Sequence, residues 1–325
     1  STVTSITGSV AGSIVGSTVG SEVTAAALDG GRSRLTPSYT AYFKIAEGCS
    51  NTCAYCIIPK LRGRYRSREM ASLLEEARAL SDAGVKELIV IAQDITRYGM
   101  DWDGKPHLAD LLEELCKLDF HWIRLHYLYP EWIDDRLIDV IAREDKILKY
   151  LDIPLQHCND KILKKMNRRG DKKYLCALLD KLRERIPGLV LRTSIIAGLP
   201  GEGEEEFDEL CDFLREQKLL RAGVFPYSPE EGTRAAKMER VDSDEAARRA
   251  ERIVDIQSEI IDAWNDERQD DVMEVLCEGF DGQSMLFVGR SYAESPDIDG
   301  RIYFTADHEV EAGYPCASPA RWTAS

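Results

Sequence analysis

Between about Pro37 and Tyr227, six short apolar runs alternate with amphipathic stretches, and this alternation limits what the chain can build. Tyr42 to Ala46, Glu87 to Ala92, Trp122 to Tyr127, Tyr150 to Ile153, Val190 to Ala197 and Ala222 to Tyr227 have the length and the β-branched and aromatic content of strands. Helical spacing of apolar residues fills the intervals at Met70 to Ala83, Leu108 to Lys117, Ile133 to Arg143, Asp160 to Met166, Lys172 to Arg185 and Glu204 to Gln217. A strand followed each time by a helix predicts a parallel sheet in an α/β fold. The period leaves open whether that sheet is flat or curled into a partial barrel. In both cases ligands bind beyond the C-terminal ends of the strands.

Directly after the first run comes Cys49-Ser-Asn-Thr-Cys53-Ala-Tyr-Cys56. Thiolates are the preferred ligands of iron-sulfur clusters and of zinc. A structural zinc site takes four protein ligands, usually as two close pairs, and no second pair follows at a suitable distance. Three local ligands on a cluster leave one iron open to an outside molecule. This C-x3-C-x2-C spacing, with Tyr55 before the third cysteine, resembles the radical S-adenosylmethionine (SAM) superfamily.

A chain of 325 residues with 44% hydrophobic content suits a barrel-sized domain plus a small module. Its net charge of -15 and pI near 4.9 exclude general binding to nucleic-acid backbones, which needs a basic footprint. The nine cysteines are an odd number, six are scattered singly, and no secretory segment is present; the chain reads as reduced and cytoplasmic. No apolar run reaches the roughly 18 residues that span a bilayer, so no membrane partner is expected. Residues 1–36 form a linker-like, low-complexity segment with Gly8, Gly12, Gly16 and Gly20 at a fixed period. Residues 37–240 make the α/β domain, and residues 241–270 a bridging helix with charges spaced i,i+4 at Glu245 and Arg249 and at Arg248 and Arg252. Residues 271–325 make a small, incomplete β module with strands at Val272 to Cys277, Met285 to Gly289 and Arg301 to Thr305. The alternation fades after Ala306.

Polar residues collect at the strand ends: Gln93-Asp94, Gln156-His157, Arg192 on the fifth strand, and Tyr227-Ser228 after the sixth. Plain structural turns would show mostly Gly, Asn and Pro. Amides, carboxylates and an arginine suit a ligand that joins an amino acid to a ribose and an adenine. Arg62, Arg64, Arg66 and Arg68 could attract an acidic group, but such a run reads first as a solvated flank. Of the five histidines none has metal-ligand spacing, and only His157 falls at a strand end.

Lys44-Ile-Ala-Glu-Gly-Cys49, Cys56-Ile-Ile-Pro59 and Arg62-Gly63 are similar to the radical SAM methylthiotransferases. Gln93-Asp94, Tyr98-Gly99, Tyr127-Leu-Tyr129-Pro130, Asp152-Ile-Pro154-Leu-Gln156-His157 and Gly289-Arg290-Ser-Tyr292 resemble the branch that modifies a ribosomal protein. The resemblance covers about residues 32 to 305. It implies a partial (βα)6 TIM-like radical SAM barrel followed by a TRAM-like β module. It further implies that Cys49, Cys53 and Cys56 hold a 4Fe-4S cluster, with exchangeable SAM at the open iron. A radical made from SAM would attack the β-carbon of an aspartate in the twelfth protein of the small ribosomal subunit, and a methylthio group would replace the hydrogen removed. The electron donor would be a flavodoxin or ferredoxin, and nucleic acid would be met only through the ribosome. Tyr55, Gln93, Asp94, Gln156 and Arg192 are by position the expected SAM contacts; no further catalytic residue is assigned.

The family also carries, ahead of the barrel, three cysteines for an auxiliary 4Fe-4S cluster. No cysteine precedes Cys49 here, and Cys116, Cys158, Cys176, Cys211, Cys277 and Cys316 have no triad spacing. They are expected to be incidental thiols, and the chain is expected to cleave SAM without completing methylthiolation. Two alternatives stay open: a tRNA methylthiotransferase, and a non-catalytic iron-sulfur or zinc scaffold.

Overall fold

The computed structural model describes residues 36–268, 271–306 and 308–319; the Gly-Ser repeat lies outside them. The first strand, β1 (Thr40–Lys44), leads into a two-residue strand, β2 (Ala46–Glu47). The cysteine loop and a short helix, α1 (Ile58–Arg62), follow, and the chain returns as β3 (Arg66–Ser67), antiparallel to β2. Next come α2 (Met70–Asp82), β4 (Glu87–Ile91), α3 (Met100–Asp103), α4 (Leu108–Cys116), β5 (Trp122–Leu125), α5 (Asp135–Arg143) and β6 (Ile147–Asp152). The domain ends with α6 (Asp160–Lys165), α7 (Lys172–Arg185), β7 (Val190–Ala197), α8 (Glu204–Gln217) and β8 (Arg221–Pro226).

The large sheet runs β1-β4-β5-β6-β7-β8, and every neighbouring pair is parallel. Among the described residues β1 and β8 are not paired with each other. The sheet is therefore an open, partial (βα)6 barrel, which answers what periodicity left open. All four residues of β5 and the first four of β4 are buried, as in a sheet covered on both faces. The strand from Tyr150 to Ile153 in fact begins at Ile147. Lys149 interrupts the apolar run there, yet its Nζ donates to Ala142 O at 3.3 Å and Glu144 O at 3.0 Å, closing the end of α5.

The bridging helix, α9 (Ser243–Asp266), starts on Asp242, whose carboxylate accepts from the amides of Asp244 and Glu245. It buries Ala246, Ala250, Ile253 and Ile256 against α8 and β8. Glu245 pairs with Arg249 as expected, but Arg248 and Arg252 carry like charge; Arg248 also turns to Glu245, and Arg252 to Asp208.

Among the described residues the β module has four strands, β9 (Val272–Asp281), β10 (Leu286–Arg290), β11 (Ile302–Phe304) and β12 (Pro315–Pro319), in the order β11-β10-β9-β12. Strand β12 lies in the stretch after Ala306 where the alternation fades. Prolines stand at both ends of β12, and an edge strand tolerates them.

The loop after β10 inserts among side chains near the starts of the barrel strands. Arg290 reaches Glu87 at 2.7 Å, and the same carboxylate takes Arg124 at 2.8 Å. Arg221 pairs with Glu294 at 2.8 Å, Tyr150 donates to Asp299 at 2.6 Å, and Ser295 Oγ lies 2.9 Å from His126 Nε2. A groove lined by Trp122, Leu148, Val272 and Tyr292 follows this seam, at the end of the barrel away from the cysteines. No helix among the described residues is long and apolar enough to cross a membrane.

Glu87 is fully buried; burial alone would raise its pKa, but Arg124 and Arg290 hold it down at about 2. A depressed carboxylate stabilises the fold above its unfolded value of 4.5, and that contribution is lost as pH falls towards about 2. Glu87→Gln leaves two buried arginines short of charge and is expected to cost about 3–5 kcal/mol. Urea unfolding at neutral pH and across this acid window checks it; an unchanged midpoint and pH slope would contradict the assignment.

Candidate active site

The loop from Gly48 to Tyr65 has little regular structure of its own and is held at its ends by the β2–β3 pair. Gly48 sits at φ +79°, and a Cβ there would lie 2.3 Å from Arg64 O. Only glycine permits this approach, which lets the Cys49 amide donate to Gly63 O at 3.1 Å. Farther along, Asn51 donates to Asp94 at 3.1 Å and accepts from Arg97 at 3.0 Å, both in the loop after β4. The Thr52 carbonyl accepts from Asn167 at 2.9 Å, the Ala54 amide donates to Met166 O at 2.8 Å, and Ala54 O accepts from Ala235 at 2.9 Å. Loops after β4, α6 and β8 thus grip the thiol loop from three sides.

All nine cysteines are free, with Cys49 buried and Cys53 and Cys56 partly exposed. Burial pushes the Cys49 thiol up to about 11 and raises Cys56 as well. Thiols in such a place ionise only against a strong local cation. Three sulfurs from one loop, beside a buried arginine, fit the ligands of an iron-sulfur cluster. Among the described residues no three His, Cys, Asp or Glu side chains converge on a point for a single ion; a cluster takes each thiolate at a different iron.

Around Cys53 the structure places two tyrosines and Arg168. Tyr129 Oη lies 3.8 Å from Cys53 Sγ, and the Arg168 guanidinium stacks 4.3 Å above the Tyr129 ring. Tyr55 packs with Ile162, Met166, Leu199 and Tyr227, and burial raises its phenol. Gln93 Oε1 is buried without a hydrogen-bond partner, as expected of an atom that awaits a ligand. Gln156 follows β6 at φ +72° and bridges to Ile195 of β7. Tyr127, after β5, sits at φ +64° and is exposed. Left-handed backbone at a non-glycine residue costs on the order of 1 kcal/mol and collects at functional sites.

Other expected residues are engaged elsewhere. Asp94 accepts from Thr96 and Asn51, so it holds the loop; burial raises its pKa against those hydrogen bonds. Arg192 does not lie at a strand end: it is the third residue of β7 and pairs with Asp152 at 2.8 Å, with Asp299 of the β module 3.9 Å away. His157 is buried, accepts from the Asn159 amide and faces Glu202, which also binds Arg249 of α9. In the basic run, Arg62 and Arg64 are exposed, but Arg68 is buried against Glu76 at 2.6 Å. Arg168 was not legible as a site residue, because it follows a helix and not a strand.

A radical SAM superfamily model matches residues 43–214, and a TRAM domain model matches residues 271–317. The chain belongs to the radical SAM superfamily. It is 50% identical over 282 residues to the ribosomal protein uS12 methylthiotransferase RimO of Pelotomaculum thermopropionicum, covering 86% of this chain and 63% of that protein. The RimO of Clostridium tetani is 45% identical over 287 residues, covering 88% and 64%. The chain thus spans less than two thirds of the length of these relatives. Among solved structures, Escherichia coli coproporphyrinogen III oxidase HemN, a radical SAM enzyme, shares the fold at TM-score 0.52 and 16% identity over 68% of this chain and 52% of that one. The Kitasatospora setae methyltransferase TsrM does so at 0.51 and 19%, over 61% and 38%.

Gly48→Ala is expected to destabilise the chain by about 2 kcal/mol and to loosen the thiol loop. Thermal melting together with the rate of thiol alkylation checks this; wild-type values for both would show that the close approach does not constrain the loop.

Proposed function

We propose that this chain is the SAM-cleaving part of a methylthiotransferase that acts on an aspartate β-carbon of ribosomal protein uS12. The observation that carries the reading is the 50% identity to a RimO relative over 86% of this chain. Cys49, Cys53 and Cys56 would hold a 4Fe-4S cluster with one iron left for SAM. When bound, that group supplies the electron, taken from a flavodoxin- or ferredoxin-type donor, that splits SAM into methionine and a reactive adenosyl fragment.

The chain's own residues bind, orient and exclude water. Gln93, with its free buried oxygen, and Gln156, in its strained turn, are the amides that would address SAM; Tyr55 closes the side towards Leu199 and Met238. Asp94 acts through Asn51 by fixing the thiol loop. Arg192 serves as a positioning residue through Asp152, whose second oxygen accepts from the Tyr127 amide at 3.2 Å. Nucleic acid enters only as part of the ribosome. Sulfur donation by an auxiliary cluster is no task for the scattered cysteines, of which Cys158, Cys211 and Cys277 are buried.

The test is reconstitution without oxygen, an iron and sulfide count, and an assay of reductive SAM cleavage beside Cys53→Ala. The reading expects about four irons per chain and cleavage that is lost in the variant. One tightly bound zinc and no cleavage would overturn it.

A further inference from the structure

The turn that the β module sends into the barrel climbs beyond what docking at the strand starts needs. Arg290 meets Glu87 at the start of β4, and Arg124, the third residue of β5, donates to Tyr292 O at 2.9 Å. Ser295 Oγ then lies 2.9 Å from His126 Nε2, just past the end of β5. Glu87 is level with Trp122, so His126 stands four residues, or about 13 Å, higher. Two bonds close the turn there. The Asp299 amide donates to Ser295 O at 3.3 Å, and the Ser295 amide donates to the Asp299 carboxylate at 2.9 Å. Tyr150 holds that carboxylate in turn at 2.6 Å.

Between these anchors the burial reverses. Ala293, Glu294 and Ser295 are buried, whereas Asp297 and Ile298 are exposed, Ile298 by 51%. Asp297 sits at φ +66°, and among the described residues its carboxylate makes no hydrogen bond or ion pair. With its base anchored on inward-facing side chains, the tip faces space inside the barrel or at its open side, between the unpaired strands β1 and β8. Both of those strands turn an exposed aromatic inward. Ala41 and Phe43 pack under the helices, so Tyr42 between them points into the barrel, where it is 40% exposed. Phe225 is 55% exposed, and a Cβ on Gly223 would lie 3.3 Å from its ring and 3.3 Å from Arg192 Nη2, so the ring lies over the inner face of β8.

We propose that Asp297 and Ile298 of the β module, with Tyr42 and Phe225 at the open side, bind the segment of the substrate protein that carries the target aspartate, and that Asp297 pairs with a basic residue of that segment. The proposal rests on the reading that the chain acts on ribosomal protein uS12. A protein that sits on RNA carries Lys and Arg to meet phosphate, and a chain of net charge -15 is complementary to it. Ile298 and the two rings offer apolar surface to the segment, and the Asp297 carboxylate fixes its register. Ser295 and Asp299 hold the turn; Asp297 and Ile298 read the substrate. The module is then part of the reaction cavity as well as a partner of the barrel.

The experiment measures the affinity of fluorescently labelled uS12 for the reconstituted chain by anisotropy, beside Asp297→Asn, Ile298→Ala and Glu311→Gln. Asparagine tolerates the left-handed backbone at position 297, and Glu311 is an exposed carboxylate of the module outside the turn. Circular dichroism and a urea midpoint first establish that each variant is folded. Asp297→Asn is expected to weaken binding about tenfold and Ile298→Ala about fivefold, whereas Glu311→Gln changes it less than about twofold. Wild-type affinity in the folded Asp297→Asn and Ile298→Ala proteins overturns the proposal and leaves the functional reading in place. An equal loss in Glu311→Gln also overturns it, by tracing the effect to net charge. Should one turn variant not fold, the other decides. Wild type that fails to bind uS12 refutes the functional reading, and the proposal with it.

Discussion

Three thiols serve one metal centre only if a stretch of irregular backbone is held still, and here everything depends on the clamp at its base. Gly48 packs against Arg64 O, the Cys49 amide bonds Gly63 O, and β2 pairs with β3 on either side. No helix or sheet ladder supplies the rest of the order. It comes from single hydrogen bonds at Asn51, Thr52 and Ala54 to loops that follow different strands and helices. A parallel sheet makes this possible because it delivers all its strand-end loops to one side. The site is therefore a product of topology, and its residues are scattered from Cys49 to Ala235 for that reason.

The opposite end of the barrel is organised by charge. Glu87, Arg124, Arg290, Arg221 and Glu294 are buried or nearly so, and each meets an opposite charge. Such pairs contribute little net stability compared with apolar packing, but removing one partner is severe. They specify how the β module docks. Asp299 extends the network to Arg192 and Tyr150, and Asp152 carries it on to Tyr127 at the top of β5. A chain of contacts thus joins the module to the mouth of the barrel.

Much of the fold was legible in the sequence. Short apolar runs marked all six barrel strands and helical spacing marked six of the helices between them, because each such element has one dominant environment. Strand β12 was not, since its prolines mask an edge strand whose pairing partner lies far away in sequence. The three cysteines stood out because their chemistry and spacing are local. Arg192 was grouped with the strand-end residues, although the strand read from Val190 to Ala197 already put it third, and the structure pairs it there with Asp152. Asp94 was expected among the SAM contacts, and the structure shows it accepting hydrogen bonds from Asn51 and Thr96. Arg168 and Tyr129 meet only through tertiary structure, one after α6 and the other after β5, so no sequence window contains both.

The central claim is that this clamp presents three thiolates and leaves one iron of the cluster to SAM. Mössbauer spectroscopy of the reconstituted chain, with and without SAM, tests it most directly. The account predicts that about one iron in four changes its spectrum when SAM is added. A spectrum in which no iron responds would contradict it.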